Sequence, residues 1–176
     1  MRLYTFGNMY MSSIQQGIQA AHCQMELFLK YREETGEGYG KGYPKYNMLH
    51  DWAENHKTMI CLNGGMLEDM KEFWIFLKND DNPFPYAKFH EAEEAMGRML
   101  TNIAIVLPER IYTIGSLVRR GVCTFESNNL TVNPTVIGLP PSVTKEELEL
   151  INTIDKKFTD FEVELITKLN CYSLAK

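Results

Sequence analysis

The stretch TNIAIVL, residues 101–107, decides the fold class. It is β-branched and apolar at successive positions, so both faces of the strand it forms must be covered, as in a central strand with helices on either side. Working outward, a second strand is expected at residues 3–6, LYTF, which Gly7 and Asn8 close. Ser12 and Ser13 follow as N-cap candidates, and Ile14, Ile18, Ala21, Met25 and Phe28 recur at the spacing of a helix with one buried face. KTMICL, residues 57–62, reads as a strand ended by Asn63, Gly64 and Gly65. Residues 66–78 then read as a helix with Leu67, Met70, Trp74 and Leu77 on one stripe. A turn dense in Asp, Asn and Pro at residues 79–85 precedes a brief strand at 87–90 and an acidic turn at 91–94. The order β, α, β, α, β, β predicts an α/β fold, a three-layer α/β/α domain around a small mixed four-stranded sheet.

The remaining segments are less regular. Residues 33–46, EETGEGYGKGYPKY, have no periodicity and read as a surface loop. After Pro108 a short helix is expected at residues 111–120, stopping at Gly121, and then an irregular stretch at 122–141 with a strand at 135–139. One C-terminal helix follows. It is opened by a capping box of Thr144 and Glu147 and continued by Ile151, Ile154, Phe158, Phe161 and Leu165 at three-four spacing. This organisation implies a core domain over residues 1–121 and a C-terminal helical extension over 122–176, which packs on the same domain or pairs two copies in a homodimer.

A chain of 176 residues buries roughly 70% of its unfolded surface, enough for a sizeable core. With 44% hydrophobic and 23% charged residues its composition is that of an ordinary globular protein. The longest apolar stretch, residues 103–108, is too short to span a bilayer, and the first residues show no basic region followed by an apolar run and a cleavage site. No membrane partner and a cytoplasmic setting are therefore expected. Cys23, Cys61, Cys123 and Cys171 are widely spread, without a C-x-x-C pair, and read as free thiols. The net charge of −5 argues against broad non-specific nucleic-acid binding, while Arg119 and Arg120 with Arg98 and Arg110 are either a local basic patch or solvated surface arginines.

On the first helix Gln15, Gln19, His22 and Glu26 stand at i, i+4, i+7 and i+11, one polar edge that is either a ligand-facing row or an ordinary solvent face. The small neighbours Ala20, Ala21 and Cys23 leave room for a close approach to His22. His90 and Glu91, with Glu93 or Glu94, make a poor metal set, because alternate residues of a strand point to opposite faces. Neither a metal nor any other cofactor is expected. No G-x-x-x-x-G-K-[ST] phosphate loop and no G-x-S-x-G elbow occurs.

Residues 11–23, MSSIQQGIQAAHC, resemble without a gap the M-x-K-G-K-x-A-A-Q-x-x-H-A stretch of the type II peptidyl-tRNA hydrolases, keeping Met11, Gln19 and His22. KTMICLNG, MLEDMKEFWIFL, AKFHEAEE and LTNIAIVLP fall in the family's order, extending the likeness over residues 3–120. The resemblance implies hydrolysis of the ester joining a peptide to the terminal ribose of tRNA. Glu91 would stand at the catalytic acidic position and act on the water or the ribose, and Thr101 would hydrogen-bond the ester region. His22 and Gln19 would orient these groups and contact phosphate. The lysine usual early in the helix is replaced. Its candidate positions are Ser13 and Gln15, substrate-binding donors without charge, and Arg98 is the candidate substitute cation. Loss of one preorganised oxyanion donor costs about 10² to 10³ in rate. The same residues therefore carry a second expectation, a weak or inactive homologue that binds a tRNA end, a nucleotide or a partner protein.

Overall fold

The computed structural model describes residues 1–32, 43–133 and 143–175. These divide into two compact units, one formed by Met1–Leu107 with Tyr172–Lys176 and the other by Pro108–Cys171. Residues 108–121, grouped with the core domain on sequence, lie in the second unit.

In the first unit β1 (Arg2–Gly7), α1 (Ser13–Lys30), α2 (Pro44–Asp51), β2 (Met59–Asn63), α3 (Leu67–Leu77), β3 (Tyr86–His90), the short α4 (Glu93–Met96) and β4 (Leu100–Leu107) follow in order. The four strands make one mixed sheet in the order β2-β1-β4-β3. β1 runs parallel to β2, with Leu3 opposite Met59, and antiparallel to β4, with Leu3 opposite Val106; β3 is antiparallel to β4. Every residue of β4 is buried, as its unbroken apolar run requires of a strand covered on both faces. On one face Leu3, Ala87, Ala104 and Val106 pack with Cys23, Leu27 and Tyr31 from α1 and with Leu49 and Trp52 from α2 and the π-helical turn after it. On the other, the Phe6 ring lies 4.6 Å from Phe73 of α3 and 4.8 Å from Tyr172. The three-layer α/β/α arrangement is thus present in this unit. Residues 172–175 also close the sheet's outer edge, for Asn63 donates to the Ser173 carbonyl at 2.9 Å and Ala175 to the Cys61 carbonyl at 3.0 Å, blunting the open side of β2.

α1 buries a different face from the one its apolar spacing predicts. Ile14, Ile18 and Met25 are 78%, 50% and 59% exposed, while Gln16, Gln19, Ala20, Cys23 and Leu27 face the sheet. The reason lies in what the sheet offers: beneath the first half of the helix stand Thr5, Gly7 and Asn102, polar or bare positions that amides can meet and isoleucines cannot. Gly7 makes the closest approach, since a Cβ there would fall 3.2 Å from Cγ of Gln16. Small residues at Ala20 and Cys23 then let the helix settle on Leu3 and Ala104. Burial pushes the Cys23 thiol well above its ordinary range, leaving it a packing group.

Two other expectations need correction. The expected loop at residues 33–46 lies outside the described residues up to 42, but Pro44 opens α2 at a position where its fixed φ suits a helix start. After α2, Trp52 is buried and donates through Nε1 to the Thr58 carbonyl at 2.9 Å. In the second unit, α5 (Glu109–Arg119) is followed by a hairpin, β5 (Cys123–Glu126) and β6 (Asn129–Val132), where an irregular stretch was expected. Ser127 and Asn128 at φ 49° and 67° make the two-residue turn whose twist matches paired strands. The strand expected at residues 135–139 lies outside the described residues.

The single C-terminal helix is two, α6 (Lys145–Thr153) and α7 (Asp160–Leu169). Both start with capping boxes, Thr144 with Glu147 as expected and Thr159 with Glu162. Between them Ile154 is extended and Asp155 accepts from the Lys157 amide at 2.9 Å, a local bond that competes with helix propagation. The three-four spacing across residues 151–165 is therefore not one helical seam. Arg110 spans the second capping site, paired with Glu162 at 2.9 Å and lying 3.9 Å over the Phe158 ring.

At the edge strand β3 a lysine from the end of α1 takes up an unusual setting. Lys30 donates to the Tyr86 carbonyl at 3.0 Å and sits 3.6 Å over the Tyr86 ring. Burial, and then repulsion from Lys45, pulls its ammonium down to about 8. This lies below the ordinary lysine value of about 10.4. The charged group therefore penalises the folded state fully below about pH 8. As pH rises beyond that, the folded chain releases the proton while the unfolded chain still holds it, and the penalty fades. The stability of the protein relative to Lys30→Met is expected to rise between about pH 8 and 10, read from urea midpoints of both chains at each pH.

Candidate functional site

The site is assembled where α1, the end of β3 and the start of β4 meet. Ser12 caps α1, accepting from the Gln15 amide while the Gln15 side chain accepts from Ser12, and this box sets the helix so that Gln16 and Gln19 point inward over the sheet. At the far side β3 runs out at His90, and Glu91 turns the chain with its amide donating to the Met99 carbonyl at 3.0 Å. The return strand enters through a bulge: Phe89 faces Asn102 and His90 faces Leu100, so Thr101 is an extra residue with no opposite number in β3. Such bulges re-aim a side chain, and here the Thr101 hydroxyl turns towards α1.

Gln19 joins the three elements. Its Nε2 donates to Oε2 of Glu91 at 2.6 Å, and its Oε1 accepts from the Thr101 hydroxyl at 2.9 Å. The amide is thereby oriented at both ends, and its burial, with that of Thr101, strengthens both bonds. The other Glu91 oxygen accepts from the Ala92 amide at 3.1 Å, so the carboxylate is fixed in the mouth of the turn. His22, one turn after Gln19, stacks on Phe89 with ring centroids 4.8 Å apart and planes 16° from parallel. The sheet brings together residues far apart in sequence: Gln19 is 72 residues from Glu91 and 82 from Thr101.

The other sequence-derived positions stand apart from this network. Gln15 is occupied by the cap with Ser12, and Ser13 is an exposed first-turn residue of α1. The Arg98 side chain is 76% exposed and pairs with Glu93 at 3.1 Å, not with Glu91. Its backbone carbonyl instead contacts His90 Nδ1 at 2.8 Å, which helps shape the turn. The suggested arginine patch dissolves into separate pairings, for besides Arg98 and Arg110, Arg119 donates to the Leu169 carbonyl and Arg120 pairs with Glu147 at 2.8 Å. Among the described residues no group of three His, Cys, Asp or Glu side chains converges as a metal site would require.

Sequence reasoning missed a second ring of polar groups. Thr5 Oγ1, Asn8 Nδ2, Gln16 Oε1 and Asn102 Oδ1 are buried without a protein partner among the described residues. Asn8 follows the end of β1 and its amide donates to the Thr101 carbonyl, while Asn102 lies opposite Gly7. Buried polar atoms left unsatisfied cost about 1–3 kcal/mol each, so their concentration in the part of the sheet under α1 leaves donors and acceptors that a water or a ligand atom would satisfy. The sequence signal was present in Asn8 after β1, Asn102 within β4 and Gln16 on α1, but nothing local says which way they face.

Replacing Gln19 by methionine, of similar length and no hydrogen-bonding capacity, strands both neighbours. A loss of about 1–3 kcal/mol is expected. In a double-mutant cycle with Thr101→Val, denaturant unfolding is expected to give a coupling of about 0.5–3 kcal/mol, and strict additivity would contradict the shared network.

No protein-family model and no curated protein sequence matches this chain.

Proposed function

We propose that the protein is a peptidyl-tRNA hydrolase-like esterase, acting on the ester between a peptide or aminoacyl group and the terminal ribose of tRNA. The observation that supports it is the Glu91–Gln19–Thr101 chain of hydrogen bonds, a carboxylate and a hydroxyl held in fixed relation by one amide. In the reaction, water attacks the ester carbonyl and passes a proton to the Glu91 carboxylate; the ribose oxygen then leaves and takes that proton, so the carboxylate is restored. In this reading Gln19 holds Glu91 and Thr101 in position, the Thr101 hydroxyl serves the ester region, and His22, stacked on Phe89, orients the substrate end.

The second reading, a homologue that binds a tRNA end, a nucleotide or a partner without turnover, is favoured by one specific observation. Gln15 is tied into the helix cap and Arg98 into a pair with Glu93, so no cation is in contact with Glu91 among the described residues. Incubation of the purified protein with labelled peptidyl-tRNA separates the two. Release of labelled peptide that depends on Glu91 supports the esterase, and retention of intact substrate in a complex supports binding alone.

A further inference from the structure

Among the described residues, three lysines of the first unit gather around two aromatic rings. Lys30 lies 3.6 Å over the Tyr86 ring, Lys45 5.4 Å over the same ring, and Lys88 4.8 Å over the Trp74 ring. Among the described residues none of the three ammonium groups forms an ion pair with a carboxylate, in contrast to Arg98, Arg110, Arg120 and Lys168, each of which does. The two rings, tilted against each other with centroids 5.4 Å apart, hold the ammonium groups in place by cation–π attraction. All five side chains are partly exposed, and β3, which carries two of them, is an edge strand.

We infer that this outer edge of β3 is a contact site for the phosphodiester backbone of a single-stranded polynucleotide, held by Lys30, Lys45 and Lys88 without regard to base. The inference deepens the proposed function and rests on it for the identity of the polynucleotide, the acceptor end of tRNA. Its place in the fold supports it: β3 runs from Tyr86 directly into Glu91, about 17 Å along one edge, so a strand presenting its terminal ester at Glu91 has the lysines along its path. Lysines at close quarters repel one another. Burial lowers all three ammonium groups first; Lys45 then lowers Lys30 and Lys78 lowers Lys88, while Asp80 works against the shift at Lys45. A bound phosphate relieves that repulsion, whereas a neutral ligand does not. The net charge of −5 repels polyanions over the rest of the surface, so an RNA strand is drawn to this edge through the local lysines.

The test is fluorescence polarisation of a short labelled single-stranded RNA with the full protein at about 50 and 200 mM salt. Three phosphate contacts predict a fall in affinity of about 20-fold over that range. The combined Lys30→Gln, Lys45→Gln and Lys88→Gln chain, shown to be folded by circular dichroism, is expected to lose most of the affinity and nearly all of the salt dependence. Each single substitution should remove about a third of the slope, which keeps the test open if the triple variant does not fold. Absence of RNA binding, a slope untouched by the substitutions, competition by an acidic peptide equal to that by RNA, or inorganic phosphate binding as tightly as the RNA would each overturn the inference. A minimal ester, N-acetylaminoacyl adenosine, separates this from the proposed function. The lysine variants are expected to keep the rate on the minimal ester and to raise KM on full-length peptidyl-tRNA. Lysine-dependent RNA binding without cleavage of either substrate removes the esterase and leaves the contact site standing.

Discussion

Glu91→Gln is expected to lower ester release from peptidyl-tRNA by about 10² to 10⁴, with the loss in kcat and little change in KM. The substitution is close to isosteric, and the carbonyl oxygen of the new amide still accepts from Gln19, so the Gln19–Thr101 bond survives. What disappears is the group that takes the proton from water. The Ala92 amide, which donates to the second carboxylate oxygen, then faces an NH₂, a local cost of about 1 kcal/mol that leaves the fold intact. Rate and stability therefore part company in this variant, and measuring both in the same preparation decides what Glu91 is for. Equal release by the two chains removes the esterase reading. The same variant tightening its hold on a labelled tRNA, through loss of a negative charge near phosphate, is the signature of the binding reading.

Phe6→Ala is expected to cost about 3–5 kcal/mol, a large part of the stability of a domain this size. Phe6 is 1% exposed on a central strand, and its ring contacts both Phe73 and Tyr172. Truncation opens a cavity against α3 and also loosens the seat of residues 172–175 on the edge of β2. Urea unfolding measures the first effect. Hydrogen exchange measures the second, where the amides of Asn63 and Ala175 are expected to lose protection before the rest of the sheet. A cost below about 1 kcal/mol would mean that the α3 face collapses around the missing ring.

The candidate site was half legible in the sequence. Gln19, His22, Glu91 and Thr101 were marked by residue type and by the order of segments around them, and three of the four are linked by hydrogen bonds. Gln15 looked equivalent to Gln19 because the two share one helical edge, yet four residues of separation put one in the cap and the other over the sheet. Arg98 was named for its charge, and its φ of 57° in the turn after α4 sends it to Glu93. Asn8, Gln16 and Asn102 carry no signal in the sequence, since a polar residue on a helix or near a strand end is ordinary until its surroundings prove to be buried.

What the sequence determined by itself is whatever depends on neighbours within a few positions: the buried run of β4, the turn at Asn63–Gly65, and the capping boxes of α1 and α6, with the one at Thr159 and Glu162 equally readable. Short-range sterics and local hydrogen bonds set these before any tertiary contact forms. Only the tertiary structure decided which stripe of α1 is inside, where the bulge at Thr101 falls, and that a glutamine meets a glutamate and a threonine from distant strands. An amphipathic helix with two usable faces carries no record of the surface it will meet. Here the polar floor made by Thr5, Gly7 and Asn102 chose the amide face and left the isoleucines outside.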